Sequence, residues 1–338
     1  MASIILNKNN FFNNLDIISK HTKAKDKIAL VLKDNAYGHG LVEMATMAQE
    51  YGITKCVVQK ESEALKVQDF FEYVLVLADF PSQPSEKICY TINDLNAVYN
   101  FPAGTKVELK VDTGMHRNGI KPDELYTAFV RIKEQGLSLE AVFTHHRSAD
   151  ELTSEWFWQK ENFEKVKTHA KELCKIFGFE ALRFHSSNSA ALFRNTAFEE
   201  DMARVGIAAY GCMKLPNAIA VEGLMPVLSL YASKLSSREL KKGDRVGYGA
   251  TYETQEDCVV SNYAFGYGDG FLRTLSNNYK TPQGVELVGR ISMDNSSFLC
   301  DADELLIFDD ARSVAAFTQT ISYEILTSLK PEITRKIV

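Results

Sequence analysis

The chain has 338 residues, 45% of them hydrophobic and 24% charged, which is long enough to bury one large core and a smaller one. A formal net charge of −6 excludes the basic balance of a generic nucleic-acid binder. No run approaches the roughly 18 uninterrupted apolar residues of a membrane span, and MASIILNKNN has neither a basic start nor an apolar stretch of signal-peptide length, so a cytoplasmic location is expected.

Strand-like runs rich in β-branched and aliphatic residues come first. They are IALVLK (28–33), TKCVVQ (54–59), YVLVLA (73–78), ICYTI (88–92), VELKVD (107–112), LEAVFTH (139–145), LRFHSS (182–187) and a short run in ARVGIAAYG (203–211). Their near-continuous apolarity predicts strands buried on both faces. Helical patterns lie between them. Leu41, Met44, Ala45 and Tyr51 fall near one helical face with Gly52 as the stop, and Trp156, Phe163, Val166 and Leu173 mark a helix from Ser154 that ends at Gly178. Eight strand–helix units in about 220 residues predict a (β/α)8 TIM-type barrel. The open doubly wound alternative lacks a G-x-G-x-x-G after the first strand. Beyond residue 224 the texture changes to short strands separated by Gly, Asp, Asn and Ser, in VLSLYASKLSS, GDRVGYGATY, CVVSNYAFGYGDG, VELVGRISMD and ELLIFDD. These predict an antiparallel β-domain. The expected organisation is a barrel over 1–223 and a C-terminal β-domain over 224–338. Six cysteines at wide, irregular spacings, with no C-x-x-C pair, read as reduced thiols.

In a barrel the chemistry sits where strands end. Lys33 leaves the first strand in VLKDNAYGHG, where partial desolvation makes an amine a better nucleophile; a surface lysine with its stem on apolar neighbours is the alternative. In LKVDTGMHRNG, Lys110 and Asp112 share a strand face, and Arg117 follows in a loop, suited to take a carboxylate in two parallel hydrogen bonds. An inward-facing Lys110 needs a neutralising partner. THHRSADE offers His145, His146, Asp150 and Glu151, yet His146 points away from His145 in an extended chain and nothing completes a ligand set, so no metal is expected. FHSSNSAA and ARVGIAAYG follow the seventh and eighth strands, where hydroxyls and backbone N–H groups hold phosphates in barrel proteins; a helix cap plus a core turn is the alternative.

Read in order from about residue 27 to 323, VLKDNAYGHG, LKVDTGMHRNGI, FTHHRSADE, HSSNSAA, ARVGIAAYG, VGYGATY, FGYGDG and GRISMD resemble the motifs of the bacterial alanine racemase family. The resemblance implies a barrel plus β-domain, pyridoxal 5′-phosphate (PLP) as cofactor, and a head-to-tail homodimer with shared active sites. It implies that Lys33 forms the Schiff base with PLP. Tyr37, Ser189, Tyr323 and the backbone of Gly206 and Ile207 would bind the cofactor phosphate, Arg204 would face the pyridine nitrogen, and His145 would flank the ring. Tyr248 would be the second base, acting in trans, with Arg117 stabilising its phenolate and steering the substrate carboxylate. Tyr267, Met293 and Asp294 would bound the substrate pocket, and Lys110 occupies the position of a carbamylated lysine. The implied activity is interconversion of L- and D-alanine by two-base proton transfer, supplying D-alanine for peptidoglycan.

Several residues depart from the family pattern: Asn7, Asp34, His116 before Arg117, the HHRSADE loop, and Ser292. His116 and the loop motivate the alternative of a broader-specificity amino-acid racemase on the same fold. A PLP-dependent decarboxylase would carry an acid where Arg204 stands. A non-catalytic PLP-binding module would lack both the β-domain and Tyr248.

Overall fold

The computed structural model describes residues 1–338. The chain opens with β1 (Ala2–Leu6) and a helix, Lys8–Thr22. Asn7 caps that helix by accepting from Asn10 N at 3.0 Å, which explains a short amide side chain at this position. Eight short strands follow, namely β2 (Ile28–Val31), β3 (Lys55–Val58), β4 (Tyr73–Val76), β5 (Ile88–Ile92), β6 (Lys106–Lys110), β7 (Ser138–Phe143), β8 (Arg183–His185) and β9 (Ala203–Val205). They form one parallel sheet in the order β8-β7-β6-β5-β4-β3-β2-β9. Two backbone bonds cross the remaining seam between β8 and β9: Arg204 N to Ser187 O (2.9 Å) and Asp201 N to Phe184 O (3.2 Å). The result is a nearly closed barrel.

The strands are shorter than the apolar runs that announce them, because each run continues into the loop that carries function. One expectation is corrected. The crossover from β4 to β5 has no helix, and that from β5 to β6 has only a 3-10 turn, Asn96–Asn100. The first gap spans residues 77–87 and contains Pro81 and Pro84, neither of which can donate within a helix. The helices Leu41–Tyr51 and Glu155–Phe177 form where the periodicity places them, each closed by a left-handed glycine, Gly52 and Gly178.

The second sheet contains β10 (Leu228–Leu240), the hairpin β11 (Arg245–Val246) and β12 (Tyr252–Glu253) beside it, then β13 (Cys258–Tyr263), β14 (Ser296–Phe298), β15 (Glu304–Phe308) and β16 (Thr334–Ile337). Its order is β14-β13-β10-β1-β16, with β15 also on β10. All pairings are antiparallel except β1 with β16, which is parallel. Residues 2–6 thus pair with the second sheet although they precede the barrel. One contiguous apolar core runs from the barrel strands into this sheet, so the two parts hold each other in register.

Candidate active site

After Val31 the chain leaves ordinary right-handed space. Asp34, Asn35, Ala36 and Tyr37 all have φ between +52° and +55°. For L-residues that conformation costs about 1–2 kcal/mol each, least for Asp and Asn, whose side chains bond locally. Asn35 does so, since its Oδ1 accepts from Leu41 N at 2.9 Å and caps the helix Leu41–Tyr51. Gly38 and Gly40 continue the turn at φ +75° and +103°. A Cβ on Gly38 would lie 2.0 Å from Leu326 O. Arg335 of β16 reaches across to donate to Gly38 O through Nε (3.2 Å) and Nη2 (2.9 Å). The strained turn is held from both sheets, as strain at a functional position must be. It aims Lys33 and Tyr37 into one cavity.

That cavity measures about 750 Å³ and gathers Lys33, Tyr37, Lys110, Arg117, His145, Ser189, Arg204, Gly206, Ile207 and Tyr323. Asp34, Met115, Asn118, His146, Ile321 and Thr327 complete much of the wall. The amines of Lys33 and Lys110, the hydroxyls of Tyr37 and Tyr323, the Arg117 guanidinium and the Ile207 N–H all lack an intramolecular hydrogen bond or ion pair. So many unspent polar groups facing one space mark a ligand site.

One end of the cavity suits an anion. Ser189 opens the short helix Ser189–Arg194, and its Oγ accepts from Gly206 N (3.1 Å) and Ala208 N (3.4 Å). A Cβ on Gly206 would lie 2.7 Å from the Tyr37 hydroxyl oxygen, so glycine is what lets that tyrosine in. Burial, with Tyr323 and Asp34 beside it, pushes the Tyr37 hydroxyl far above its ordinary range and keeps it a donor. Burial raises Tyr323 in the same sense, with Asp150 adding to it.

The other end is built on Arg204. Its Nη2 donates to Thr144 O (2.7 Å) and Ser186 O (3.1 Å), its Nη1 donates to His185 Nδ1, and its guanidinium lies over the Phe143 ring at 5.0 Å. Only Nε–H is left for the cavity. Burial lowers Arg204 to about 10, so it stays charged at neutral pH. Burial, then Arg204, Lys110 and Arg117, hold His145 well below the usual histidine range and therefore neutral. Burial, then Arg204 and Arg117, bring Lys110 down to about 8. The neutralising partner expected for Lys110 is absent from the chain itself, and the nearest aromatic support is Phe143 at 6.0 Å.

Tyr248, Tyr267, Met293 and Asp294 do not line this cavity. They lie on the second sheet's outer surface, with Tyr248 69% and Met293 56% exposed. Tyr267 N and Gly268 N donate to Ser292 O (3.0 Å) and Met293 O (2.7 Å), locking those two loops together. The Tyr248 loop joins them, because a Cβ on Gly249 would meet Arg290 at 3.0 Å. The loops that carry these four side chains are therefore tied together, and all four side chains are exposed.

His116 does not shape the cavity. Its backbone is left-handed at φ +55°, and its exposed ring turns to Asp112, 3.6 Å away, while Met115, Arg117 and Asn118 face inward. In the HHRSADE loop, His145 lines the cavity and His146 Nε2 sits 3.0 Å from Ser186 Oγ. Arg194 pins that loop through Ser148 O (2.9 Å) and Thr153 O (3.0 Å). No three His, Cys, Asp or Glu side chains converge as a metal set. Sequence reasoning missed Glu108 and His185, both fully buried inside the barrel. The signal available was an acid in the middle of the apolar strand VELKV.

Comparison with known proteins places these features. Residues 6–214 match the alanine racemase N-terminal domain model and residues 227–337 the alanine racemase C-terminal domain model. The chain is 46% identical to an alanine racemase from a Nitratiruptor species over 335 residues, 99% of each chain. Among solved structures it resembles the alanine racemase from Bacillus anthracis with bound L-Ala-P, at TM-score 0.85 and 27% identity, covering 100% of this chain and 95% of that one. A histidine racemase from Leuconostoc mesenteroides subsp. sake is similar at TM-score 0.82 and 26% identity, covering 100% and 98%.

Proposed function

The chain belongs to the alanine racemase family, and from that premise we propose how its own residues interconvert L- and D-alanine. The residues present fit pyridoxal 5′-phosphate. Unspent hydroxyl and N–H donors surround a glycine at one end of the cavity, an arginine with one free N–H closes the other, and a free amine enters from the side. When bound, PLP withdraws electrons from the substrate α-carbon and makes its C–H bond acidic. Tyr37, Ser189, Tyr323 and the backbone at Gly206 and Ile207 would hold the phosphate, and Lys33 would carry the covalent attachment. His145, neutral and in the cavity wall, would flank the ring.

Arg204 would face the ring nitrogen. A guanidinium there disfavours a second positive charge, which limits electron withdrawal and favours return of the proton over loss of the amino group. Racemisation needs a base on each face of the α-carbon. Lys33 Nζ, once freed, takes or returns the proton on one face. The partner subunit's Tyr248 serves the other, since this chain's own Tyr248 is outside the Lys33 cavity. Arg117 binds the substrate carboxylate and stabilises the phenolate, with Tyr267, Met293 and Asp294 bounding the pocket from the partner. We also propose that Lys110 is carbamylated: its amine, brought down to about 8, is readily neutral and nucleophilic, and a carbamate would place an anion beside Arg117. The division at 223/224, a cytoplasmic site of action and the supply of D-alanine to peptidoglycan belong to the same proposal. No helix is long and apolar enough to cross a membrane.

The observation that carries this reading is the convergence of unspent donors and a free lysine at a strained turn. The test is incubation with L-alanine, L-serine and L-histidine in deuterated water with PLP, following optical rotation and α-deuterium entry. Exchange with racemisation, strongest for alanine, is expected. Preference for histidine or serine would instead select the broader-specificity reading, and bound PLP without exchange would reject both.

A further inference from the structure

The barrel interior below the cavity is polar, which is unusual for a packed layer. Tyr73 (β4), Glu108 (β6) and Arg183 (β8) come from alternate strands and meet at one level. Glu108 is fully buried. It accepts from the Tyr73 hydroxyl, from Arg183 Nη2 at 3.3 Å and from His185 Nε2 at 2.8 Å. Replacing a buried ionic cluster by apolar residues of similar volume is often neutral or stabilising, so burial alone does not account for an acid here. His185 lies two residues beyond Arg183 on the same strand, and its Nδ1 accepts from Arg204 Nη1.

The chemistry of the ends fixes the middle. A carboxylate only accepts and a guanidinium only donates, so His185 must carry its proton on Nε2 and offer the lone pair of Nδ1. A doubly protonated His185 would point N–H at the Arg204 N–H. Burial indeed keeps His185 below its ordinary range, against the pull of Glu108. Burial alone would raise Glu108, but His185, Arg183 and Tyr73 together bring it down to about 2, so it is ionised at neutral pH. At that pH His185 acts on it as an N–H donor rather than as a cation. Phe143 stacks on His185 with ring centroids 4.7 Å apart and lies beneath Arg204, so the row has no freedom to swing. Glu108 is shared between Arg183, which it touches, and Arg204, which it reaches through one neutral imidazole; Glu200 also supports the Arg204 charge.

We propose that Glu108 is a positioning residue for Arg204: through His185 it fixes the guanidinium's orientation and offsets its positive charge at the end of the cavity. This rests on the reading that Arg204 Nε–H faces the PLP ring nitrogen. Glu108 touches neither cofactor nor substrate. Its removal takes away the acceptor that holds the imidazole, so the guanidinium loses its fixed orientation and proton removal slows on both faces alike. Loss of one hydrogen bond to a charged group in the row changes a rate by roughly tenfold.

The test uses holoenzyme carrying PLP labelled with 15N in the ring, for Glu108→Gln and Glu108→Asp. Glu108→Gln, which weakens the hydrogen bond that orients the row, is expected to lower kcat roughly tenfold in both directions with little change in KM, and to move the ring 15N resonance. Glu108→Asp, which keeps the charge but is shorter, is expected to fall nearer wild type in both readouts. The reverse order, with the isosteric Gln tolerated, Asp damaging and the 15N signal fixed, would mean a packing role and overturn the proposal. If Glu108→Gln fails to fold, His185→Asn breaks the row while leaving Glu108 on Arg183 and Tyr73, and an unmoved 15N signal there overturns it equally. Arg204→Lys separates the two layers of inference. If it leaves the ring signal in place, the reading of Arg204 itself has failed. If it moves the signal and Glu108→Gln does not, only the role of Glu108 has failed.

Discussion

Gly206→Ala puts the proposed phosphate end of the cavity under a defined perturbation. The new methyl would lie 2.7 Å from the Tyr37 hydroxyl oxygen and 3.0 Å from the ring carbon that bears it. Carbon atoms prefer a separation of about 3.5–4.0 Å, so Tyr37 must retreat by several tenths of an ångström. Gly206 is not in left-handed space, so its own backbone accepts the substitution. Tyr37 has little room to adjust, because its ring packs on Tyr210 and Tyr323 with centroids 5.1 and 5.8 Å apart. The hydroxyl is therefore withdrawn from the phosphate. A hydrogen bond to a charged group is worth roughly 1.5–3 kcal/mol, so PLP affinity should fall about 10- to 100-fold. The assay is titration of apoprotein with PLP, read by absorbance, with thermal unfolding of the apoprotein alongside. Tyr37→Phe should lose a similar factor without the clash, and the double variant should lose much less than the product of the two, since one bond is removed in each case. Unchanged PLP affinity in Gly206→Ala, or full additivity in the double variant, would refute the assignment of Tyr37 to the phosphate.

Lys33→Ala should fold and lose the absorbance of covalently held cofactor; absorbance that survives dialysis would put the attachment on another amine. Tyr248→Phe should keep that absorbance and lose most turnover of L-alanine. Mixing and re-pairing Lys33→Ala with Tyr248→Phe should then restore about a quarter of wild-type activity, because half the dimers are hybrids and each hybrid has one intact site. No recovery on mixing would mean that Tyr248 acts within its own chain or not at all. Lys110 gives a pH signature in carbon-dioxide-free buffer. Its folded value of about 8 is below its ordinary 10.5, so the unfolded chain binds more protons between those limits and stability must rise with pH across that window. Relative to Lys110→Met, the wild-type deficit in unfolding free energy should be full below pH 8 and shrink toward pH 10.5; a constant difference would contradict the burial of a charged amine. Added bicarbonate should remove the deficit and give a carbamate signal by 13C NMR.

The barrel and most of the polar groups that line its cavity were legible because both depend on local rules. Buried parallel strands need unbroken apolar runs, and barrel chemistry gathers at their ends. Lys33, Lys110 and His145 are each a polar residue where a strand gives way, whereas Arg204 sits in the middle of β9 and was picked out only by the family resemblance. The same rule failed at Glu108, which interrupts a run instead of ending it. Nothing local distinguishes an acid that will meet Arg183 and His185, 75 and 77 residues away, from one at a strand's solvent edge. The left-handed turn had no local signal at Ala36 and Tyr37, whose positive φ is accompanied by contacts from the far end of the chain, where Arg335 donates to Gly38 O and Leu326 O lies against Gly38. The missing helix between β4 and β5 is marked in the sequence by Pro81 and Pro84. The placement of β1 beside β10 and β16 had no local signal, since its alternation suits either sheet.

The distribution of exposed apolar side chains argues for how the site is completed. Ile321 and Tyr323 stand at the cavity wall, 61% and 40% exposed, and Tyr248, Tyr267 and Met293 stand on the second sheet's patch. Two separated apolar surfaces on one chain are costly alone and normally mark interaction sites. If the patch of one copy covers the cavity of another, a two-fold axis makes the second contact automatically, and both surfaces are buried with none left over. The same closure would bring a phenol to the face of the substrate that Lys33 cannot reach, and would exclude water from the amine, the guanidinium and the neutral imidazole already in place. A chain that kept both bases in one cavity would have no need to display Tyr248 at 69% exposure on a loop tied to Arg290 and Met293. On the proposed pairing, activity would depend on dimer formation: at protein concentrations below the dimer dissociation constant, PLP should remain attached while specific activity falls, and loss of both together would place the pairing surface elsewhere.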